Sequence, residues 1–201
     1  MGGPVIILTW EYPPRVVSPV AEYCKKMADF LSKKGKDVIV ISYDDWNAGN
    51  FCLENDRLFV FYVGNVVSGT YNPLVWTLQM STEIETKAES VIDEIKEISG
   101  IHCHDWLTIP SALVLKQRFD VPLYITFHSI EPVRVGGRTD NYIESIKNIE
   151  RIGCEKADKI FVNNLWLKYQ VMYHYSVSSD KIIVLNNDFE DLIEIYGGAM
   201  H

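Results

Sequence analysis

The sequence predicts an α/β fold, a single doubly wound, mostly parallel sheet with helices on both faces. Three observations carry this. Short runs of β-branched and aliphatic residues alternate with longer amphipathic stretches along the chain. Several of those runs, residues 37–43 above all, are apolar on both sides, as a strand covered on both faces must be. Hydrophobic residues make up 47% of the 201 positions, enough to bury one core of ordinary domain size.

Each element has its own signal. Residues 4–9 form a compact apolar run that stops at the turn Tyr12-Pro13-Pro14. Val20, Cys24, Met27 and Leu31 then fall at helical spacing, and Gly35 is a natural stop. Residues 37–43 read as a strand. An irregular polar loop follows, then a second strand at 57–64. Asn72-Pro73 opens a helix with proline at its first position. Ile84, Ala88, Val91, Ile95 and Ile98 keep one stripe of that helix to residue 99, and Gly100 ends it. Residues 101–105 are a short strand, 108–118 a helix and 122–128 a strand.

Between Ser129 and Asp140 the pattern breaks into a loop holding Arg134, Gly136, Gly137 and Arg138. Tyr142, Ile146 and Ile149 mark one face of a helix that ends near Ala157. A strand at 159–162, a helix at 165–175 and a strand at 181–185 follow. Residues 188–196 have room for one or two amphipathic turns. The organisation expected is one domain over residues 1–187 and a tail over 188–201, with no internal repeat or linker.

Composition excludes several functions. The net charge is −8, the wrong sign for sequence-independent binding to nucleic acid or an anionic membrane. No apolar run approaches the length of a membrane span. The N-terminus has no charged region or cleavage site, and Ile6 breaks the myristoylation pattern, so a cytoplasmic location is expected. Cys24, Cys52, Cys103 and Cys154 have neither disulfide-framework nor zinc spacing and are expected to be reduced and mostly buried. There is no G-x-G-x-x-G after the first strand, no P-loop and no G-x-S-x-G.

In doubly wound sheets ligands bind outside the carboxyl ends of the strands. That rule selects Trp10, Glu11, Pro13, Pro14 and Arg15 after the first strand. It also selects His104, Asp105 and Trp106 after residues 101–103, and His128, Ser129, Glu131 and Arg134 after residues 123–127. His102 and His104 lie two apart on a strand, on one face, and His128 stands near enough in pattern to join them. Histidines in a satisfied polar network explain the same spacing, and no metal is expected. Val133–Arg138 reads V-R-V-G-G-R; glycines at 136 and 137 allow close backbone approach, and guanidinium groups pair with phosphate, though a solvated turn has the same composition. Trp10, Trp106 and Tyr12 offer aromatic faces on which a pyranose could stack, or ordinary core material.

Taken together, these segments resemble one family. T-W-E-Y-P-P-R from Thr9, H-C-H-D-W-L-T from His102 and T-F-H-S-I-E-P-V-R-V-G-G from Thr126 resemble the N-terminal domain of glycogen and starch synthases and of the related archaeal-type glycosyltransferases of families 4 and 5. E-K-A-D-K-I-F-V from Glu155 and D-K-I-I-V-L-N-N from Asp180 look like later parts of the same domain. The resemblance implies a Rossmann-like domain, the N-terminal half of a GT-B fold. In that family this half holds an α-glucan acceptor, and a C-terminal half binds the nucleotide sugar. Glucose moves with retention of configuration onto an α-1,4-glucan, with no metal.

Carried over by motif, His128 is the catalytic-site residue nearest the reacting sugar carbon. His104, Asp105 and Trp106 line the cleft floor. Glu11, Tyr12 and Arg15 border the loop that meets donor phosphate and acceptor. Ser129, Glu131, Arg134, Gly136 and Gly137 complete the substrate-binding set. The sequence departs from the family at Ser18-Pro19-Val20, where a glycine-rich turn is the pattern, and at Val184-Leu185-Asn186-Asn187-Asp188, where the family's turn into the hinge differs. Proline offers no N–H to a diphosphate. The donor-binding half is expected to be absent from this chain, which puts the tail at the hinge position. No cofactor is then expected on this domain alone, with ADP-glucose or UDP-glucose as donor once a C-terminal domain completes it. The partners expected are an α-glucan or other saccharide and a separately encoded donor-binding subunit or a second copy of the chain. A glucan-binding or regulatory role without catalysis fits the same departures.

Overall fold

A computed structural model describes residues 3–65, 67, 72–186 and 188–197. The expected domain boundary at residue 187 and the end of the tail, 198–201, lie outside the described residues.

The strands are β1 (Val5–Thr9), β2 (Val38–Tyr43), β3 (Phe51–Asn55), β4 (Leu58–Val63), β5 (Gly100–His104), β6 (Leu123–Phe127), β7 (Lys159–Val162) and β8 (Ile182–Val184). The helices are α1 (Pro19–Lys33), α2 (Pro73–Ile95), α3 (Asp105–Phe119), α4 (Glu131–Val135), α5 (Asn141–Lys156), α6 (Leu165–Tyr175) and α7 (Glu190–Gly197). The eight strands form one sheet in the order β3-β4-β2-β1-β5-β6-β7-β8. All neighbours are parallel except β3 and β4, which pair antiparallel. This is the doubly wound, mostly parallel α/β sheet that the alternating pattern predicts.

Two cores follow from the period-two alternation of the strands. On β1, Ile6 and Leu8 face one layer with residues of α2, α3, α5 and α6, while Val5 and Ile7 face the other with α1 and α7. Burial on both faces explains why β1, β2, β5 and β6 carry no solvent-facing side chain. Four helix starts are built from capping residues. Ser18, Asn72, Asp140 and Asn164 each accept a backbone N–H of the following turn.

Three elements differ from expectation. The polar loop before β4 contains β3, an edge strand whose residues are nearly all exposed, so no burial pattern announces it. The loop after Ser129 contains the five-residue helix α4, stopped by Gly136 at φ 58°. Helix α2 stops at Ile95, short of the expected residue 99, and Gly100 opens β5 where it was expected to end a helix. The amphipathic turns expected at 188–196 are α7, with Phe189, Leu192 and Tyr196 buried in the core beside α1.

The topology places the site. From β1 the chain winds outward to β2 and β4, then α2 carries it back to β5 on the other side of β1. The order therefore reverses between β1 and β5, and the loops leaving their carboxyl ends part to leave a crevice.

Candidate active site

Two adjoining hollows lie over this crevice, and His128 borders both. The larger, about 560 Å³, is lined by Pro19, Val20, Glu22, Tyr23 and Lys26 of α1, with His128, Asn163 and Phe189. The smaller, about 260 Å³, is lined by Trp10, Ser18, Val20, Asp105, Trp106, Leu107, His128, Ser129 and Arg134. Residues following five strands converge here, those after β1, β5, β6, β7 and β8.

His128 is held from several sides. Its backbone N–H donates to Oδ1 of Asp105 at 2.8 Å. Its ring Nε2 lies 3.2 Å from Nδ1 of His104. The Tyr23 ring packs edge-on against it, centroids 4.7 Å apart. Asp105 itself has φ 56°, a left-handed conformation that Asp tolerates better than most residues. A strained residue whose side chain fixes the next loop is a common device at binding sites.

The H-C-H run behaves as period-two geometry requires. Ile101 and Cys103 face the α2/α3 layer, while His102 and His104 face α1 and α7. Their rings stack 4.9 Å apart with only 4° between planes. His102 bonds Thr126 through Nε2 at 2.6 Å and Tyr196 through Nδ1. Burial lowers the pKa of His102 to about 3 and holds that of His104 well below the usual range, with the neighbouring histidines adding to both. His102 is a packed, bonded core histidine, and His104 is fully buried too, packed against His128 and Tyr23 and lining neither hollow. Among the described residues no group of three or more His, Cys, Asp or Glu is disposed to hold a metal ion.

The loop after β1 is built on Glu11. This buried carboxylate accepts the backbone N–H groups of Val17 and Ser18, at 2.6 and 2.8 Å, and the Ser18 hydroxyl. Ser18 then caps α1, with Pro19 at the first helical position. Pro19 costs α1 no hydrogen bond there, but the Ser18 donors are already committed to Glu11.

Seven expected site residues line neither hollow; Glu11, His104 and Glu131 are buried and act through their neighbours, and four others sit elsewhere. Tyr12 is fully buried beneath α1, its hydroxyl donating to Glu54 at 3.2 Å, so it borders neither hollow and offers no stacking face. Glu54 also pairs with Lys25, which ties the β1 loop to β3 and α1. Arg15 stacks between the rings of Trp10 and Tyr43, 5.8 and 5.1 Å from their centroids, on the β2 side of the rim. Gly136 and Gly137 have φ 58° and 86° with open space around them, and neither lines the hollows beside His128. Nor is V-R-V-G-G-R an open anion cradle. The Arg134 guanidinium is taken by Ser129, Glu131 and Glu150, because two buried carboxylates need a cation there.

Glu150, wholly buried, is the hub of that network. It accepts the Glu131 N–H at 2.8 Å, the Arg134 guanidinium at 2.8 Å and the Tyr175 hydroxyl. Burial pushes its carboxyl up to about 7, against the pull of Arg134. This network braces α4 and, through Arg134, the Ser129 edge of the smaller hollow.

The residues that the sequence did not single out are Glu22, Tyr23, Lys26, Asn163 and Phe189. Pro19, Glu22, Tyr23 and Lys26 repeat at helical spacing beside the buried stripe of α1, and that second stripe was the available signal.

The chain matches Glycosyltransferase Family 4 over residues 20–187, well over half its length. It belongs to glycosyltransferase family 4. An uncharacterized glycosyltransferase of Methanocaldococcus jannaschii is 30% identical over 185 residues, covering 91% of this chain and 45% of that protein. A glycogen synthase of Mycobacterium tuberculosis is 25% identical over 205 residues, covering 92% and 48%. Among solved structures, sucrose-phosphate synthase from Thermosynechococcus elongatus superposes with a TM-score of 0.75 at 14% identity, over 91% of this chain and 47% of that one. The catalytic domain of starch synthase IV from Arabidopsis thaliana, bound to ADP and acarbose, gives 0.59 at 13% identity, over 92% and 51%.

The fold of this family 4 chain is therefore the N-terminal half of a GT-B glycosyltransferase. The chain spans about half the length of the curated relatives it matches. Among the described residues no helix is long and apolar enough to cross a membrane.

Proposed function

We propose that this chain is the acceptor-side half of a retaining glucosyltransferase. It moves glucose from ADP-glucose or UDP-glucose to an α-1,4-glucan when a donor-binding half closes over it. The observation that carries this reading is the His128 crevice at the topological switch between β1 and β5. There Trp10, Asp105 and Trp106 stand beside His128 at the edge where a second half would meet the first.

The roles follow from chemistry. Trp10 and Trp106 give apolar ring surface for the C–H faces of a glucose unit. His128 bonds a hydroxyl or oxyanion close to the reacting carbon. Asp105 fixes the loop that carries His128. The donor diphosphate draws its charge stabilisation from the partner half, because Ser18 and Pro19 offer little to it. A single half leaves the crevice open to water, so transfer needs both.

The test is glucose transfer to maltooligosaccharides from each nucleotide sugar, by the chain alone and mixed with a candidate donor-binding half. Transfer is expected only in the mixture. No transfer in any combination would refute the enzymatic reading.

A second reading has its own support in the Glu11–Ser18–Pro19 arrangement. A glucan-binding or regulatory domain needs the acceptor face and no phosphate loop. It predicts maltooligosaccharide binding without nucleotide-sugar binding and no transfer when a donor-binding half is added, so the transfer assay on the mixture, beside calorimetric titration of maltooligosaccharide, separates the two readings.

A further inference from the structure

The two ring nitrogens of His104 are in unlike surroundings. Nδ1 faces Nε2 of His128 at 3.2 Å, and the rings lie nearly parallel, 21° apart with centroids at 5.4 Å. Nε2 is buried and has no hydrogen-bond partner among the described residues. His104 is itself completely buried and uncharged, so it carries one ring proton.

The place of that proton decides the chemistry of its neighbour. On Nε2 it would be a buried N–H with nothing to donate to, a rarer and costlier defect than a bare lone pair. On Nδ1 it donates to His128. Nε2 of His128 must then accept, and a neutral His128 holds its own proton on Nδ1. Tyr23, edge-on at 4.7 Å, packs against the His128 ring, and the Asp105 bond fixes its backbone, so the ring has little freedom to turn away. Nδ1 is the nitrogen left for a molecule in either hollow.

We propose that His104 is a positioning residue that holds His128 in its Nδ1–H form, so that His128 meets a ligand in the crevice as a hydrogen-bond donor and not as a base. The ligand atom it reads is then an acceptor, a sugar hydroxyl oxygen or a phosphate oxygen. The ligand part of this inference rests on the glucosyltransferase reading; the tautomer part does not.

The experiment is long-range proton–nitrogen NMR of the whole chain with histidine labelled in nitrogen, at pH 8 and without ligand. The expected wild-type result is a protonated Nδ1 on both His104 and His128. His104→Phe keeps a buried ring but removes the donor, and His128 should then shift toward Nε2–H, the form preferred by a free imidazole side chain. His104→Asn places an amide N–H where Nδ1 stood and should restore Nδ1–H on His128. A wild-type His128 protonated on Nε2 overturns the proposal, as does a His128 tautomer unmoved by His104→Phe. If His104→Phe does not fold, the wild-type and His104→Asn spectra still decide. A chain with the expected tautomer that binds no maltooligosaccharide refutes the glucosyltransferase reading and leaves the tautomer assignment standing.

Discussion

Ser18 donates both its backbone N–H and its hydroxyl to the carboxylate of Glu11. One buried acidic side chain thus shapes the loop after β1 and sets the start of α1, since the same Ser18 oxygen accepts the Val20 N–H. Removing the acceptor leaves the donors of Val17 and Ser18 without it. Glu11→Ala is expected to cost about 1–3 kcal/mol, the range for leaving such groups unsatisfied. Glu11→Gln keeps one acceptor oxygen and should cost less. Urea unfolding measures both, and an Ala variant as stable as wild type would show that the loop is held by something else.

Asp105 combines a left-handed backbone with a bond to the His128 N–H, and substitutions separate the two. Asp105→Asn keeps both the tolerated conformation and an acceptor oxygen, so its effect on stability should stay within about 1 kcal/mol. Asp105→Gly keeps the conformation and loses the bond. Asp105→Ala loses the bond and adds about 1–2 kcal/mol of strain. The expected order of destabilisation is Asn, then Gly, then Ala. Equal losses for Gly and Ala in denaturant unfolding would show that backbone strain at this position is negligible.

Much of the framework was legible because burial on both faces leaves a mark in the chain. Strands β1, β2, β6 and β7 announce themselves as apolar runs, β5 only through Ile101 and Cys103, and the rule of strand carboxyl ends leads from β5 and β6 to Asp105, Trp106 and His128. β3 was hidden because an exposed edge strand has no core-facing alternation to show. Tyr12 and Arg15 were misplaced because a loop position fixes proximity to the rim but not the direction of a side chain. The Tyr12 hydroxyl turns inward to Glu54, and only the fold brings β3 under that loop. Glu150 could not be read as a site brace, since its partners Glu131, Arg134 and Tyr175 come from α4 and α6, elements apart from its own helix.

The buried histidines set the acid limit of stability. His102 has a folded pKa near 3 against an ordinary 6.5, and His104 lies well below 6.5. Below pH 6.5 the unfolded chain binds protons that the folded chain refuses, so stability rises with pH there. This contribution is complete above 6.5 and is lost as pH falls, by about 1.4 kcal/mol per pH unit for each histidine. His102→Gln retains a group able to bond Thr126 and cannot be protonated. It should be less stable than wild type at pH 8, and the gap should narrow between pH 6 and 4. A constant gap in urea unfolding would mean that His102 does not titrate on unfolding.

Glu150 acts in the opposite direction. Its carboxyl rises from 4.5 to about 7 in the folded state, chiefly through burial, with Arg134 pulling the other way. Between those values the folded chain holds a proton that the unfolded chain has released, so this group's contribution falls as pH rises through the window. The loss is on the order of 1–3 kcal/mol by pH 8, with the lower part favoured by the strong pairing to Arg134. Glu150→Gln cannot titrate, and it keeps a carbonyl for the Glu131 N–H or the Tyr175 hydroxyl but not the charge facing Arg134. Relative to this variant, wild type should lose stability steadily from pH 5 to pH 7.5, against the gain that His102 and His104 give both proteins. Urea unfolding of the two at half-unit steps isolates the difference. If the curves run parallel, Glu150 is ionised throughout, and the Arg134 pair has overcome the burial of its carboxylate.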